Sequence, residues 1–213
     1  YYGIGKTSAL LKKITEQQIR NARYANPLTM LPGNVPIHDR IDELLKNKKN
    51  FYLAYFDLNF FKPYNDHYGY SRGDDVIATV ARTLQESINP TINLVGHVGG
   101  DDFVVIFESD NYEESCQQVL DEFAEKTNDF YCEKALREGG IWGVSRTGEK
   151  QFFELLSLAV GIAYPDPNYC TSHHDVAELA VDAKKQAKLK GGNSIFLNKR
   201  RKPSSIDKET TAA

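Results

Sequence analysis

The apolar residues of this chain recur either at helical spacing or in short continuous runs, and the two patterns follow one another along the sequence. Helical spacing predicts helices over 9–24, 36–47, 75–88, 112–130 and 175–190. Continuous apolar runs bounded by turn residues predict strands over 51–57, 92–98, 103–107, 155–163 and 194–197. We therefore expect an α/β (α+β) fold in which helices flank a central, mainly antiparallel sheet of about five strands.

Two glycine-containing segments predict hairpins. The run Gly99-Gly100-Asp101-Asp102 separates two predicted strands and indicates a tight turn, because glycine adopts the positive φ angles that such turns require. The segment 138–150 contains two further glycine-bearing turns. We expect it to form a small hairpin insertion that protrudes from the domain.

The composition indicates which binding partners and which cellular compartment to expect. The 213 residues carry a formal net charge of -3, so no overall positive field would attract nucleic acid, and we expect no nucleic-acid partner. No run approaches the roughly 18 apolar residues of a membrane span. Its three cysteines are far apart and form no CxxC pair, which is typical of a reducing compartment, so we expect a cytoplasmic protein. The chain begins with tyrosine, and we expect it to be a piece of a longer protein.

Three carboxylates are the first candidates for chemistry. Asp57 ends a buried apolar strand, where a charge needs a partner, and Asp101 and Asp102 lie at the predicted turn. If the two strands are neighbours, the carboxylates meet at one end of the sheet and are suited to hold magnesium against phosphate oxygens. The alternatives are an ordinary polar turn and a solvated aspartate at a strand end.

Several short motifs in register identify a family. Residues 57–74 read DLNFFKPYNDHYGYSRGD, and residues 99–103 read GGDDF. Residues 28–32 read LTMLP, residues 158–162 read LAVGI, and Ala187-Lys188 follows in the last predicted helix. In this order and spacing the motifs resemble the GGDEF (diguanylate cyclase) domains of cyclic-di-GMP signalling over about residues 26–197. The resemblance implies a nucleotidyl-cyclase-like fold with a ferredoxin-like palm.

The resemblance also implies a metal and catalytic site. Asp57, Asp101 and the backbone carbonyl of Leu58 match the positions that bind Mg²⁺ (or Mn²⁺) in the family. The turn Gly99-Gly100-Asp101-Asp102 matches the signature turn of the family. Asp101 and Asp102 match its catalytic carboxylates, although Asp102 replaces the glutamate of the family pattern. Asp102 keeps the charge on a side chain that is one methylene shorter.

A nucleotide site follows from the same resemblance. Asn65 and Asp74 match the amide and carboxylate that recognise guanine, whose pattern of donors and acceptors adenine lacks. The positions expected at the phosphates are Lys62, Lys188 and the backbone amides of Phe60 and Phe61. Without the resemblance, each lysine would be interpreted as a solvated charge on a helix.

Two functions remain open at this stage. In the first, two domains form a homodimer, each with one GTP, and condense the two molecules to cyclic di-GMP with release of two pyrophosphates. In the second, the domain is a weak or inactive GTP-binding module that regulates a neighbouring phosphodiesterase (EAL) domain. His97 replaces an arginine of active members, and Gly192 replaces an arginine near the phosphates. Residues 89–92 lack the RxxD motif of product inhibition. A dimerising module without nucleotide is a third possibility, disfavoured because both ligand pairs are present.

The flanks indicate the domain order. We expect residues 1–25 to be a linker helix at the end of an upstream CBS-like domain, 26–198 to be the GGDEF domain, and 199–213 to be a disordered tail. The hairpin insertion resembles the form of the domain that follows EAL and CBS domains in one polypeptide. His173-His174 is interpreted as a solvated helix start rather than a metal site, with Ser172 and Asp175 as its cap.

Overall fold

A computed structural model describes residues 2–144 and 148–203 of the chain. Within them the helices are α1 (Tyr2–Arg23), α2 (Asn34–Lys46), α3 (Phe61–Tyr68), α4 (Tyr70–Ser87), α5 (Tyr112–Thr127), α6 (Glu133–Glu138) and α7 (His173–Lys190), with a 3₁₀ turn at Asn128–Phe130. The strands are β1 (Tyr52–Asn59), β2 (Leu94–Gly99), β3 (Asp102–Phe107), β4 (Gly140–Val144), β5 (Lys150–Glu154), β6 (Ser157–Ala163) and β7 (Ser194–Asn198).

The central sheet has five strands in the order β2-β3-β1-β6-β7. Every neighbouring pair is antiparallel except β6 and β7, which are parallel. This confirms the prediction of a mainly antiparallel sheet flanked by helices. The β4–β5 hairpin is a separate two-stranded sheet, which also confirms the predicted insertion, although it spans 140–154 rather than 138–150. Residues 145–147 at its turn lie outside the described part.

Alternation along β1 builds a core on each face of the sheet. Ala54, Phe56 and Leu58 pack with apolar residues of α4 and α5 on one face. Leu53 points to the other face, where it packs with residues of α2 and α7. The strand is therefore buried on both sides, which explains why its sequence is a continuous apolar run rather than an alternating one. The same alternation directs Asp57 toward the α7 side.

Helix α3 and the beginning of α4 were not predicted, since the apolar pattern indicated no helix between the strand that ends at residue 57 and the helix that begins at residue 75. The physical reason is that α3 has only eight residues and buries only one of them, Tyr64, so no apolar repeat marks it. Pro63 lies in its first turn, where a helix tolerates proline. Helix α6 was missed for the same reason, because it is six residues long and buries only Ala135.

The start of α7 is tied to α2. The capping box of Ser172 and Asp175 is present, as predicted. The helix begins two residues earlier than predicted, and His173 is partly buried rather than solvated, with its Nδ1 atom 2.8 Å from Asp42 Oδ2. Within the described ranges, no group of three or more histidine, cysteine or acidic residues is placed to hold a metal ion.

The end of the described chain contacts the domain. Arg201 lies 4.0 Å from the centre of the Tyr164 ring, and its carbonyl accepts a hydrogen bond from Asp166 N at 2.8 Å. Arg201 and the buried Pro203 belong to the segment 199–213 that was predicted as a disordered tail, Lys199 and Arg200 are exposed, and 204–213 lie outside the described residues. Among the helices in the described ranges, none has the length and apolar character needed to cross a membrane.

Candidate functional site

A cleft of about 730 Å³ lies at the carboxyl end of β1. Eight of the residues predicted for the site line it: Asp57, Leu58, Phe60, Phe61, Lys62, Asn65, Asp101 and Lys188. Six further lining residues were not predicted: Pro63, Asp66, Tyr70, Val144, Gln151 and Phe153. Asp74 and Asp102 are not part of its wall. The structure therefore brings most of the predicted residues together around one cavity.

The pairing of β1 with β3 brings the carboxylates together. Asp57 lies directly opposite Asp102 in this antiparallel pair, so both side chains lie on the α7 face of the sheet. Asp101 lies at the tip of the turn between β2 and β3, where Gly99 and Gly100 have φ angles of +149° and +58°. Only glycine adopts such angles readily, and they turn the chain so that Asp101 reaches the cleft.

Two lysines of α7 face these carboxylates. Lys184 Nζ lies 2.7 Å from Asp102 Oδ1 and 3.1 Å from Asp57 Oδ2. Lys188 forms a close ion pair with Asp57 Oδ1. Lys188 was predicted at the site, but its partner in the protein alone is Asp57. Lys184 was not predicted, because its position in the sequence matched that of any lysine on the solvent side of a helix.

Burial and neighbouring charges shift the pKa values of this cluster. Burial raises the pKa of the Asp101 carboxyl above its ordinary value, and the charge of Asp57 raises it further. For the Lys184 ammonium, burial lowers the pKa, but the hydrogen bond and charge of Asp102, followed by those of Asp57, outweigh it. The pKa of Lys184 therefore lies above its ordinary value, and the ammonium stays charged.

The carboxylates can accept a divalent cation, but they do not complete its coordination. Asp57 is 5% exposed, and its two carboxylate oxygens face the ammonium groups of Lys184 and Lys188. The Lys188 side chain is 40% exposed, so Asp57 can exchange this ammonium for a hard cation. Two protein carboxylates provide fewer oxygen ligands than Mg²⁺ requires, so the remaining ligands must come from water and phosphate oxygens. The residues present fit a metal that binds together with a phosphorylated ligand.

Asn65 presents an unpaired hydrogen-bond acceptor to the part of the cleft that is lined by α3. Its Oδ1 atom is buried and has no hydrogen-bond partner among the described residues. Gly73 of α4 packs against it so closely that a Cβ atom there would lie 1.9 Å from this oxygen. The absence of a side chain at Gly73 therefore leaves room for the Asn65 amide. Asp74, its predicted partner, lies next to Gly73 on α4 and is exposed.

The entrance to α3 forms another wall. Phe60 has a φ angle of +62°, which is unfavourable for a bulky side chain, and it precedes a helix whose first turn has no side-chain cap. Strain of this kind is concentrated at functional sites. The uncapped amides at the beginning of α3 are suited to bind an anion. Lys62 is exposed in this turn and forms an ion pair with Asp66 at 2.9 Å.

His97 supports the turn that carries Asp101. Its side chain is 2% exposed and stacked on Phe103 at 4.3 Å between ring centres. The Nε2 atom lies 3.0 Å from the Gly100 carbonyl, and Nδ1 lies 3.0 Å from Thr29 Oγ1. Burial lowers the pKa of His97 more than the Gly100 carbonyl and Asp102 raise it, so the imidazole is neutral. Nε2 therefore donates to Gly100, and Nδ1 accepts from the Thr29 hydroxyl.

The β4–β5 hairpin packs against α3 and forms a further wall of the cleft. Val144, Gln151 and Phe153 contribute to the wall, and the Phe153 ring lies 6.1 Å from the Phe60 ring. The sequence analysis treated this hairpin as a peripheral insertion. Neither apolar periodicity nor a motif indicated that it reaches the site, because the contact depends on how the hairpin folds back on the domain.

Comparisons with known proteins point to the same family as the sequence motifs. The profile of the family described as "Diguanylate cyclase, GGDEF domain" matches residues 23–141, which is more than half of the chain. Diguanylate cyclase DgcZ of Escherichia coli is 37% identical over 92 residues, covering 42% of this chain and 31% of that protein. Cyclic di-GMP phosphodiesterase PdeB of Shewanella oneidensis is 23% identical over 198 residues, covering 90% of this chain and 21% of that protein. The chain thus spans about a third or less of these relatives.

Solved structures share the fold. Diguanylate cyclase SiaD of Pseudomonas aeruginosa, solved with its activator SiaC, superposes with a TM-score of 0.66 at 20% identity, over 91% of this chain and 69% of that chain. The GGDEF domain of DgcB from Caulobacter crescentus, solved with c-di-GMP, gives 0.61 at 22% identity, over 83% and 96%. The fold expected from the motifs is confirmed, and the chain belongs to the GGDEF domain family of diguanylate cyclases.

Proposed function

We propose that this domain binds GTP with a divalent cation in the cleft and condenses two GTP molecules to cyclic di-GMP as a homodimer. The observation that carries the proposal is the presence of a buried carboxylate cluster and an unpaired amide acceptor in one cavity. Asp57 Oδ1 lies at the phosphate end, and Asn65 Oδ1 lies at the end predicted for the base. A buried acceptor without a donor costs about 1–3 kcal/mol, so a ligand that supplies a donor is the simplest explanation for Asn65. The carboxylates at the other end are suited to a cation that binds with the phosphates.

The base would be recognised from α3 and α4. Asn65 accepts from the N1–H or N2–H₂ donors of guanine and can donate from its amide to a guanine acceptor. Asp74 is exposed on α4 next to Gly73, which leaves room for the Asn65 amide, and it supplies a second acceptor for the same donors. Adenine presents no N1–H donor, so this pair of acceptors favours GTP over ATP.

The triphosphate would lie between α3 and the signature turn. The uncapped amides at Phe60 and Phe61 and the exposed ammonium of Lys62 face one side of this space. Asp57, Asp101 and the Leu58 carbonyl face the other side and would hold Mg²⁺ or Mn²⁺. When bound, the cation activates the attacking 3′-hydroxyl and stabilises charge at the α-phosphate. Lys188, at present paired with Asp57, is near enough to exchange this partner for a phosphate oxygen.

A second copy of the domain is required by the chemistry. The 3′-hydroxyl of one GTP attacks the α-phosphate of the other, and the reaction occurs twice with release of two pyrophosphates. One cleft holds one nucleotide, so two clefts must face each other. The protein then acts mainly by positioning, which is the dominant contribution in phosphoryl transfer.

The test combines binding with product formation. GTP is titrated by calorimetry in the presence of Mg²⁺, and cyclic di-GMP is measured by chromatography after long incubation at high protein concentration. We expect both, and we expect Asp101→Asn to lower turnover by at least about 100-fold, because it removes a charge at the metal and the reacting phosphate. Asp121→Asn, an exposed position on α5, is the matched control and should leave turnover unchanged.

Each outcome has a defined meaning. Binding and product that depend on Asp101 support the cyclase. Binding without product, in a sample shown to be dimeric, contradicts the condensation and supports the regulatory GTP-binding module instead. Absence of GTP binding contradicts both functions.

A further inference from the structure

Lys184 contacts the carboxylates at the end of the cleft, and its role follows neither from the sequence motifs nor from the proposed contacts with GTP. Its ammonium bridges Asp102 at 2.7 Å and Asp57 at 3.1 Å, and it lies 5.5 Å from the centre of the Tyr55 ring. Its side chain is only 21% exposed. A lysine with two carboxylate partners and an aromatic neighbour is held in place, unlike a solvated lysine on a helix.

The backbone explains why this lysine reaches the carboxylates. Gly161 of β6 lies directly under α7, and a Cβ atom there would be 2.1 Å from Lys184 N. In the sheet, Gly161 is paired with Tyr55 of β1, two residues before Asp57. The absence of a side chain at Gly161 therefore lets α7 approach β1 closely enough for an ammonium on α7 to contact the end of that strand.

The net charge at this end of the cleft indicates what the contacts of Lys184 do. Asp57, Asp101 and Asp102 bring three negative charges to one end of the cleft, and Lys184 and Lys188 bring two positive charges. The five groups together carry one negative unit. Lys184 takes oxygens of both Asp57 and Asp102 that a divalent cation would otherwise use, and its charge repels any cation at this position. Lys188 differs, because it is more exposed at 40% and lines the open cleft.

We propose that Lys184 is a resident cation of the site: it occupies the space between Asp57 and Asp102, keeps divalent metal out of the nucleotide-free cleft, and so makes metal entry dependent on the nucleotide. This inference rests on the proposed function. The triphosphate supplies the negative charge and the oxygen ligands that the neutralised carboxylates lack. Metal then binds at Asp57 and Asp101, while Asp102 stays paired with Lys184. Lys184 is thus a positioning residue that sets the order of binding.

The decisive experiment measures metal binding without nucleotide. Mn²⁺ is titrated into the nucleotide-free protein and followed by the electron paramagnetic resonance signal of free Mn²⁺. We expect Lys184→Met to bind Mn²⁺ at least about tenfold more tightly than the wild type, because it removes a positive charge within a few ångströms of the metal. Lys184→Arg keeps the charge and should bind as weakly as the wild type. Lys185→Met, an exposed lysine on the same helix, is the matched control and should have no effect.

A second variant protects the test against misfolding. Lys184→Gln keeps a polar side chain that is one atom shorter and uncharged, and it should show the same gain in Mn²⁺ affinity, with circular dichroism confirming the fold. Unchanged Mn²⁺ affinity in a folded Lys184→Met or Lys184→Gln protein would overturn the proposal. An equal gain in Lys185→Met would also overturn it, because the effect would then come from total charge rather than from this site.

A final measurement tests the coupling and separates this proposal from the function. A non-hydrolysable GTP analogue should raise the Mn²⁺ affinity of the wild type by a larger factor than that of Lys184→Met, since the variant already accepts metal alone. Equal factors would contradict the binding order. If the wild type does not bind the analogue, the proposed function fails, whereas the comparison without nucleotide still decides the role of Lys184.

Discussion

Replacing Asn65 with alanine should make the nucleotide-free domain more stable while it weakens GTP binding. The buried Oδ1 atom of Asn65 has no donor in the protein, so its removal relieves a desolvation cost of about 1–3 kcal/mol. Alanine is also the better helix former in α3 by up to about 0.7 kcal/mol. The lost packing against Gly73 offsets part of this gain, and we expect a net increase in the free energy of unfolding of about 1 kcal/mol.

The same substitution removes the amide that would contact guanine. The lost hydrogen bonds correspond to about 1–3 kcal/mol, which weakens GTP binding by about 5- to 150-fold. ATP binding should change little, so the preference for GTP over ATP should fall by a similar factor. Urea unfolding of the nucleotide-free protein measures the first effect, and calorimetric titration with each nucleotide measures the second.

His67→Ala is the control for helix propensity. His67 is exposed on the same helix and does not line the cleft, and histidine and asparagine have similar helix propensities. This variant should gain only the propensity part of the stability and should bind GTP as the wild type does. A destabilised Asn65→Ala protein would show that the amide is satisfied within the fold. Unchanged GTP affinity would show that it does not contact the base.

Three further predictions concern the supports of the site. Thr29→Val should lower the free energy of unfolding by about 1–3 kcal/mol in urea, because it leaves the buried His97 Nδ1 without a donor; unchanged stability would refute this hydrogen bond. The pKa of His97 is lowered on folding, so the unfolded state binds a proton first and stability should fall as the pH drops below about 6.5. His97→Gln should reduce this slope in a pH series of urea titrations, and an equal slope would contradict the assignment. Gly161→Ala should cost at least about 1–3 kcal/mol by thermal unfolding, since its Cβ would lie 2.1 Å from Lys184 N; an unchanged Tm would show that α7 moves freely.

The sheet and its long helices were predictable because their packing requires recognisable patterns of apolar residues and glycines in the sequence. The run before Asp57 is apolar without interruption because β1 is covered on both faces, and the signature turn contains glycines because its φ angles are positive. The short helices α3 and α6 show no apolar repeat in the sequence, since each buries a single residue. Motif resemblance, rather than periodicity, placed the site residues of α3.

The parts of the site that were not predicted depend on long-range contacts. Lys184 occupies one of several similar positions on a lysine-rich helix, and only the close approach at Gly161 distinguishes it. The wall formed by Gln151 and Phe153 depends on the direction in which the β4–β5 hairpin folds back. Asp74 shows the opposite case, since the motif identified it and the structure leaves it exposed beside the cleft, where a bound base would have to reach it.

The register between β1 and β3 also limits how this domain can change its length. Because side chains alternate between the two faces, inserting one residue into β1 would turn Asp57 away from α7 and toward the opposite core. Such a change would separate the aspartate from its partner Asp102 even if the sheet still formed. Natural variation in strand length should therefore be confined to the far end of β1, around Tyr52, where an added residue leaves the pairing at the cleft unchanged.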